Sequence, residues 1–213
     1  MDVYNRPSGR ERRRPVNYRT LTVPLVNITS AKLADVDEVC SLVNAAYRGH
    51  GSRPGWTSEI EFIQGARVDT ASLRAMLERG IILLLLRRPN GAKLAGSIAV
   101  QAHTDSIWHL SMLAIDPEEQ AAGLGRILLC AAEKYAAARG AACTQISVIQ
   151  LRDSLIAWYE RRGYRRTGEI ESFPFDDESV GKALRTDLHF VVLEKTCMPC
   201  SRPISSSSNP LTA

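Results

Sequence analysis

The chain has 213 residues, 45% of them hydrophobic, which is enough for one sizeable core and too few for two. Its net charge of +4 is concentrated: residues 1 to 19 carry six arginines against Asp2 and Glu11, and the remaining 21 basic and 21 acidic residues cancel. A basic folded domain is thereby excluded, the longest apolar run (GIILLLL, 80–86) is far too short to span a bilayer, and the odd number of cysteines argues against a disulfide framework.

Residues 1 to 21, rich in Arg, Pro, Gly and Asn, read as a solvated basic leader rather than a nucleic-acid-binding arm. No apolar segment follows its charges, which argues against secretion, so the expected address is the cytoplasm, with a nuclear one left open by the arginines. One domain is expected over 22–196 and a disordered tail over 197–213. Cys197 and Cys200 form a lone CxxC with no second pair at zinc spacing, and no metal is expected.

In chain order, residues 22–30 predict a first strand. Leu33, Val36, Val39, Leu42, Val43 and Ala46 then recur at helical spacing between Lys32 and Tyr47. The glycines and proline of YRGHGSRPGWT mark a loop. Ser58 and Glu61 have capping-box spacing and predict a short helix through Gln64. Another helix starts at Asp69 and Thr70 and stops at Gly80. Strands over 81–87 and 93–103 flank Asn90-Gly91, a hairpin turn signal, and a third strand over 107–115 ends at Asp116-Pro117. The helix expected over 123–139 presents Leu124, Ile127, Leu128, Ala131 and Tyr135 on one face. A strand over 144–149, a helix over 154–162 and strands over 164–170 and 188–195 complete the order. Hairpins followed by a strand-helix-strand unit predict an α/β (α+β) domain with one mixed, mostly antiparallel sheet of about seven strands flanked by about four helices.

Between the third strand and the long helix stands Gln120-Ala121-Ala122-Gly123-Leu124-Gly125-Arg126. A helix N-terminus offers about four unpaired N–H groups and roughly half a positive charge, so it suits an anion. Gly123 and Gly125 remove side chains that would hold a phosphate away from those amides, and Gln120 and Arg126 reach its edge. No Lys-Ser/Thr follows the glycines, as a Walker loop requires. A dinucleotide-binding turn needs a third glycine where Leu128 stands and a tighter joint than DPEEQAA allows.

The pattern that does match, Q/R-x-x-G-x-G/A after a strand ending LAI-D-P, resembles the GNAT superfamily of acyl-CoA-dependent N-acyltransferases, in which this loop binds the CoA pyrophosphate. Trp158-Tyr159 and Gly163-Tyr164 are similar to the family's second signature, and the resemblance covers about residues 25–196. It implies a GNAT-like domain that moves an acetyl group from acetyl-CoA, a co-substrate, to a primary amine of a small molecule or peptide by direct attack in a ternary complex. A noncatalytic acyl-CoA-binding module is the alternative. By the same resemblance the CoA contacts fall on Gln120, Ala121, Ala122, Gly123, Leu124, Gly125 and Arg126. They also fall on Met112, Leu113, Ala114 and Ile115, in a strand expected to part from its neighbour and admit the pantetheine arm. An N–H near Met112 or Leu113 would face the developing oxyanion, a contact typically worth ~3 kcal/mol.

Tyr159 matches the family's tyrosine and is the candidate proton donor to the leaving thiolate. A free phenol (pKa ~10) protonating a free thiolate (~8.5) is uphill by about 2 kcal/mol, which a positioned hydrogen bond absorbs. His109 stands where histone-acetylating members carry a catalytic glutamate and is the candidate base, with Glu59, Glu61 or a water chain as alternatives. Strand alternation places His109 on one face with Ser111 and Leu113. Acceptor recognition is expected from 47–67 and 171–178, with Trp56, Phe62, Phe173 and Phe175 as walls and Glu59 or Glu61 attracting a cation. No membrane partner is expected, a homodimer is left open, and the acceptor's identity is not readable.

Overall fold

The continuous and alternating apolar runs become strands of one sheet, and the residues spaced three and four apart become the helices that cover it. The computed structural model describes residues 26–49, 57–89, 93–120, 122–177 and 180–197. The expected leader and residues 198–213 of the expected tail lie outside the described residues, as do His50, Trp56, Asn90, Gly91, Ala121 and Glu178, whereas Cys197 donates its N–H to the Ala142 carbonyl at 2.8 Å. In chain order the elements are β1 (Asn27–Ser30), α1 (Val36–Arg48), β2 (Ile63–Gln64), α2 (Thr70–Glu78), β3 (Ile82–Arg87), β4 (Leu94–Ala102) and β5 (Ile107–Ile115). There follow α3 (Leu124–Ala137), β6 (Cys143–Ile149), α4 (Asp153–Glu160), β7 (Arg165–Ser172), β8 (Lys182–Ala183) and β9 (His189–Thr196).

The main sheet has seven strands in the order β1-β3-β4-β5-β6-β9-β7, and β2 pairs separately with β8. Every pairing in the main sheet is antiparallel except that of β5 with β6. Helices α3 and α4 cover one face: Leu124, Leu128, Leu129, Leu155 and Ile156 pack there with Leu110, Leu113, Ile146 and Val148. Helix α1 covers the other, where Val36, Val39 and Val43 meet Leu83, Leu85 and Ala99. Burying a leucine of this kind is worth roughly 2 kcal/mol, so each amphipathic stripe suffices to fix its helix on the sheet.

One expected element does not form. Ser58 and Glu61 do not open a helix; a turn closed by the Phe62 and Ile63 N–H groups on the Glu59 carbonyl leads into β2, whose Ile63 pairs with Ala183. The local helix signal loses because Ile63 gains a small satellite core with Ile149, Phe173 and Leu188. This ladder of 63–64 with 182–183 has no counterpart in the sequence pattern, since neither segment is long enough to show a period.

A second departure lies inside β5. Ser97 pairs with Ala114 and Ala99 with Ser111, so Ile98 alone faces both Met112 and Leu113. This β-bulge puts Met112 at φ +49°, a conformation that costs a side-chain-bearing residue roughly 1–2 kcal/mol. Strand alternation is reset there. Leu113 joins Leu110 in the core under α3, while Met112 and Ala114 pack under α1. The expectation that His109, Ser111 and Leu113 share a face therefore fails at Leu113, because an extra residue shifts the period-two pattern by one.

Candidate functional site

The parallel contact between β5 and β6 is short. Only Ile107, Trp108 and His109 have partners on β6, namely Cys143, Thr144 and Gln145, while β6 pairs with β9 along its whole length, from Cys143 to Ile149. From Leu110 onward β5 leaves β6, and Met112 and Leu113 have no registered partner on β4 either. A cleft lined by Leu110, Met112, Leu113, Ser147, Tyr47 and Tyr159 occupies this split. A larger hollow, bordered by Ser30, Leu33, Glu78 and Ile81, shares none of these residues.

Two tyrosines stand at the cleft. Tyr47, at the end of α1, donates its hydroxyl to the Leu113 carbonyl at 3.2 Å. Burial, reinforced by Glu59, pushes its phenol up to about 12. Tyr159, on α4, is only 5% exposed, and among the described residues its hydroxyl has no hydrogen-bond partner. Burial raises its phenol well above the ordinary range, Tyr47 adds to this, and Arg152 and Arg162 oppose it. Its ring is held edge-on between Trp158, at 4.9 Å between centroids, and Tyr164, at 5.5 Å. The hydroxyl is thus fixed in place and keeps its proton.

At the mouth of the split, β5 is followed by Asp116, whose side chain accepts the Glu118 N–H at 3.0 Å and pairs with Lys93 at 2.7 Å. Helix α3 then starts on Gly123, which has φ +76° and no side-chain cap. A Cβ built on Gly123 meets nothing within 4 Å, so the space over this helix start is open. The Arg126 and Ile127 N–H groups are already taken by the Gly123 carbonyl, which leaves Leu124 and Gly125 as the amides on offer. The side chains of Leu124, Met112, Leu113, Ala114 and Ile115 are buried in the core, so these residues can serve a ligand only through backbone. Ala122 and Arg126 are exposed, and Gln120 bends back to the Ile115 carbonyl at 3.4 Å. Ala121 lies outside the described residues. An uncapped helix start beside a half-unpaired strand fits a diphosphate joined to an extended, amide-bearing arm.

His109 is half-buried on β5, with Nε2 at 3.3 Å from the Ser147 hydroxyl. Burial lowers its pKa below the ordinary 6.5, against Glu171, which raises it. The imidazole is therefore neutral at pH 7 and able to take a proton. Glu59 also lines the cleft, but its carboxylate is bound by Arg48 at 2.6 Å. Glu61 faces a neighbouring hollow with Ser58 and Leu151. The expected aromatic walls divide: Phe62 packs against the satellite core, Phe173 lies in it stacked with Phe190, and Phe175 is exposed. Among the described residues no cluster of His, Cys, Asp and Glu could hold a metal ion, and no helix is long and apolar enough to cross a membrane.

Two site residues carry no motif. Arg67 lies over the Tyr47 ring, 5.6 Å from its centroid, and Arg152, between β6 and α4, is buried and donates to the Thr57 carbonyl at 3.1 Å. Arg67 falls in the segment expected to recognise the acceptor. The one signal for Arg152 is its place directly after a strand whose neighbour has parted from it.

Comparison with known proteins gives a consistent result. The family described as "Acetyltransferase (GNAT) domain" matches residues 57–173. A mycothiol acetyltransferase from Gordonia bronchialis is 28% identical over 140 residues, which cover 65% of this chain and 42% of that protein. The chain thus spans less than half the length of this curated relative. Among solved structures, a Salmonella typhimurium protein with its cofactor acetyl-CoA matches with a TM-score of 0.60 at 19% identity, covering 85% of this chain and 99% of that one. The ribosomal-protein-S18-alanine N-acetyltransferase from Escherichia coli matches with a TM-score of 0.59 at 18% identity, covering 81% and 94%.

Proposed function

Because the chain belongs to the acetyltransferase (GNAT) family, we propose that it transfers an acetyl group from acetyl-CoA to a primary amine of a small molecule or peptide, by direct attack in a ternary complex. The observation that carries this reading is the split between β5 and β6, with an uncapped helix start at its mouth and, at its wall, a buried phenol that has no hydrogen-bond partner among the described residues.

When bound, acetyl-CoA supplies an acyl thioester. The Leu124 and Gly125 amides would hold its diphosphate, and the free edge of β5 its pantetheine arm. Tyr47 already shows that the Leu113 carbonyl accepts a hydrogen bond from within the cleft. An N–H of Met112 or Leu113, released from regular pairing by the bulge, is the candidate donor toward the oxygen that gains charge. Tyr159 holds a proton at Oη for the departing thiolate. Its raised pKa does not forbid the transfer, because the same burial raises a thiolate formed beside it. His109 Nε2 takes the proton of the acceptor amine, with Ser147 orienting the ring. Screening an amine library for release of CoA thiol, with mass spectrometry of the products, tests the reading. CoA binding with no thiol release from any amine would replace it with the noncatalytic one.

A further inference from the structure

The pantetheine arm is uncharged and the diphosphate is assigned to the far end of the split, yet the wall facing Tyr159 is crowded with charge. Arg67 and Arg152 line the cleft together with Glu59. Glu59 is neutralised by Arg48, which is itself 9% exposed and also donates to the Val180 carbonyl at 3.3 Å. Glu61 is exposed and faces the neighbouring hollow, whose lining includes Arg152. Arg152 is already engaged: it donates to the Thr57 carbonyl, and burial lowers its pKa while Glu59 and Glu61 raise it. Among the described residues Arg67 has no carboxylate at ion-pair distance and lies instead over the ring of Tyr47. Tyr47 registers all of these groups in its own titration: Glu59 raises its phenol, and Arg67, Arg152 and Arg48 lower it.

Resting on the function proposed above, we infer that the acceptor amine carries a carboxylate, as a free amino acid or an equivalent amino-carboxylic acid does, and that Arg67 binds it. A guanidinium presents a planar fork that matches a carboxylate with two parallel N–H···O bonds, and Arg67 lies over the Tyr47 ring at the cleft, 5.6 Å from its centroid. The same positive wall disfavours the ammonium form of an incoming amine, so it assists the deprotonation that attack requires. It also repels polycations, which removes polyamines and aminoglycoside-like amines from the acceptor classes. Glu59, one of the two carboxylates expected to draw a cation, is already paired with Arg48.

The test uses the full chain with acetyl-CoA and the twenty L-amino acids, each beside its carboxamide, following thiol release. At least one free acid is expected to exceed its amide in kcat/KM by roughly 10- to 100-fold, the range for a charge-assisted contact made or lost. Arg67→Gln should collapse that ratio mainly through KM, and Arg67→Lys should restore part of it. Calorimetry with CoA confirms that each variant is folded. Independently of turnover, the corresponding N-acetyl amino acid should bind the CoA-saturated protein at least tenfold more tightly than its amide. Amides or polyamines used as well as or better than every free acid would overturn the inference and leave acetyl transfer standing. CoA binding without thiol release from any of these amines or polyamines would overturn both.

Discussion

Helix α2 begins on Asp69, whose carboxylate accepts the Ser72 N–H at 2.6 Å, whereas α3 begins on Gly123, in the left-handed region and with no side chain to cap it. The two aromatic residues packed together behind the cleft differ in the same way. Tyr164 shares a hydrogen bond of 3.2 Å with Thr144, and Tyr159, 5.5 Å away, has no hydroxyl partner among the described residues. Asp69 and Tyr164 complete the fold internally. Gly123 and Tyr159 leave a donor open at the edge of the split, and an open donor in a folded protein costs stability unless something else uses it.

The comparison breaks most readily at Gly123. Gly123→Asp puts a negative charge where a diphosphate would sit, on a left-handed backbone that disfavours any side chain. CoA affinity measured by calorimetry is expected to fall by roughly 10²- to 10⁴-fold, the loss of two charge-assisted hydrogen bonds. Unchanged affinity would mean that the open helix start is not the anion site. Tyr159→Phe should lower kcat by about 10²- to 10⁴-fold and leave CoA binding nearly intact, since a phenyl ring keeps the packing against Trp158 and Tyr164.

His109 sharpens the contrast through pH. Its folded pKa is depressed, so an unfolded chain binds a proton that the native chain refuses once pH drops below about 6.5. The stability owed to the neutral ring is therefore full above that pH and lost below it. His109→Gln should flatten the decline in thermal stability between about pH 6.5 and 5. It should also lower kcat/KM by about 10²-fold and remove the acidic limb of its pH profile. A surviving limb would assign the base elsewhere.

The internally satisfied pair should give the smallest effects. Tyr164→Phe leaves the buried Thr144 hydroxyl without this partner and should cost about 1–2 kcal/mol in denaturant unfolding, with CoA affinity unchanged. Asp69→Ala should lower the melting temperature by about 2–4 °C, again without touching CoA. That loss should shrink as pH falls below about 4, because the Ser72 amide bonds hold the Asp69 carboxyl below its ordinary value and protonation ends the cap.

The elements legible in the sequence are those whose signal is local. Ile107 to Ile115 and the helix after Gly123 stand within two residues of expectation, because a long apolar run and a glycine-opened amphipathic segment each leave a period to read. Ser58 and Glu61 mislead for the same reason: a capping box is a two-residue pattern, and contacts with Phe173 and Leu188, more than a hundred residues away, outweigh it. The glycine motif and Tyr159 could be found because they belong to recurring patterns. Arg67, Arg152 and Tyr47 have no such pattern, and their significance arises only where three separate segments converge on one cleft.

The sequence alone therefore determined the order of the main-sheet strands and the helices that cover them, the uncapped start of α3 and the family, since backbone propensity, periodicity and motif spacing are properties of neighbouring residues. Tertiary structure decided the rest. It set the length of the β5–β6 contact, moved Leu113 to the opposite face through the bulge at Met112, and paired Glu59 with Arg48, leaving the cleft wall positive. Each of these depends on which distant groups come into register, and the energy of a charge or an unpaired strand edge is set by the partners that packing brings to it.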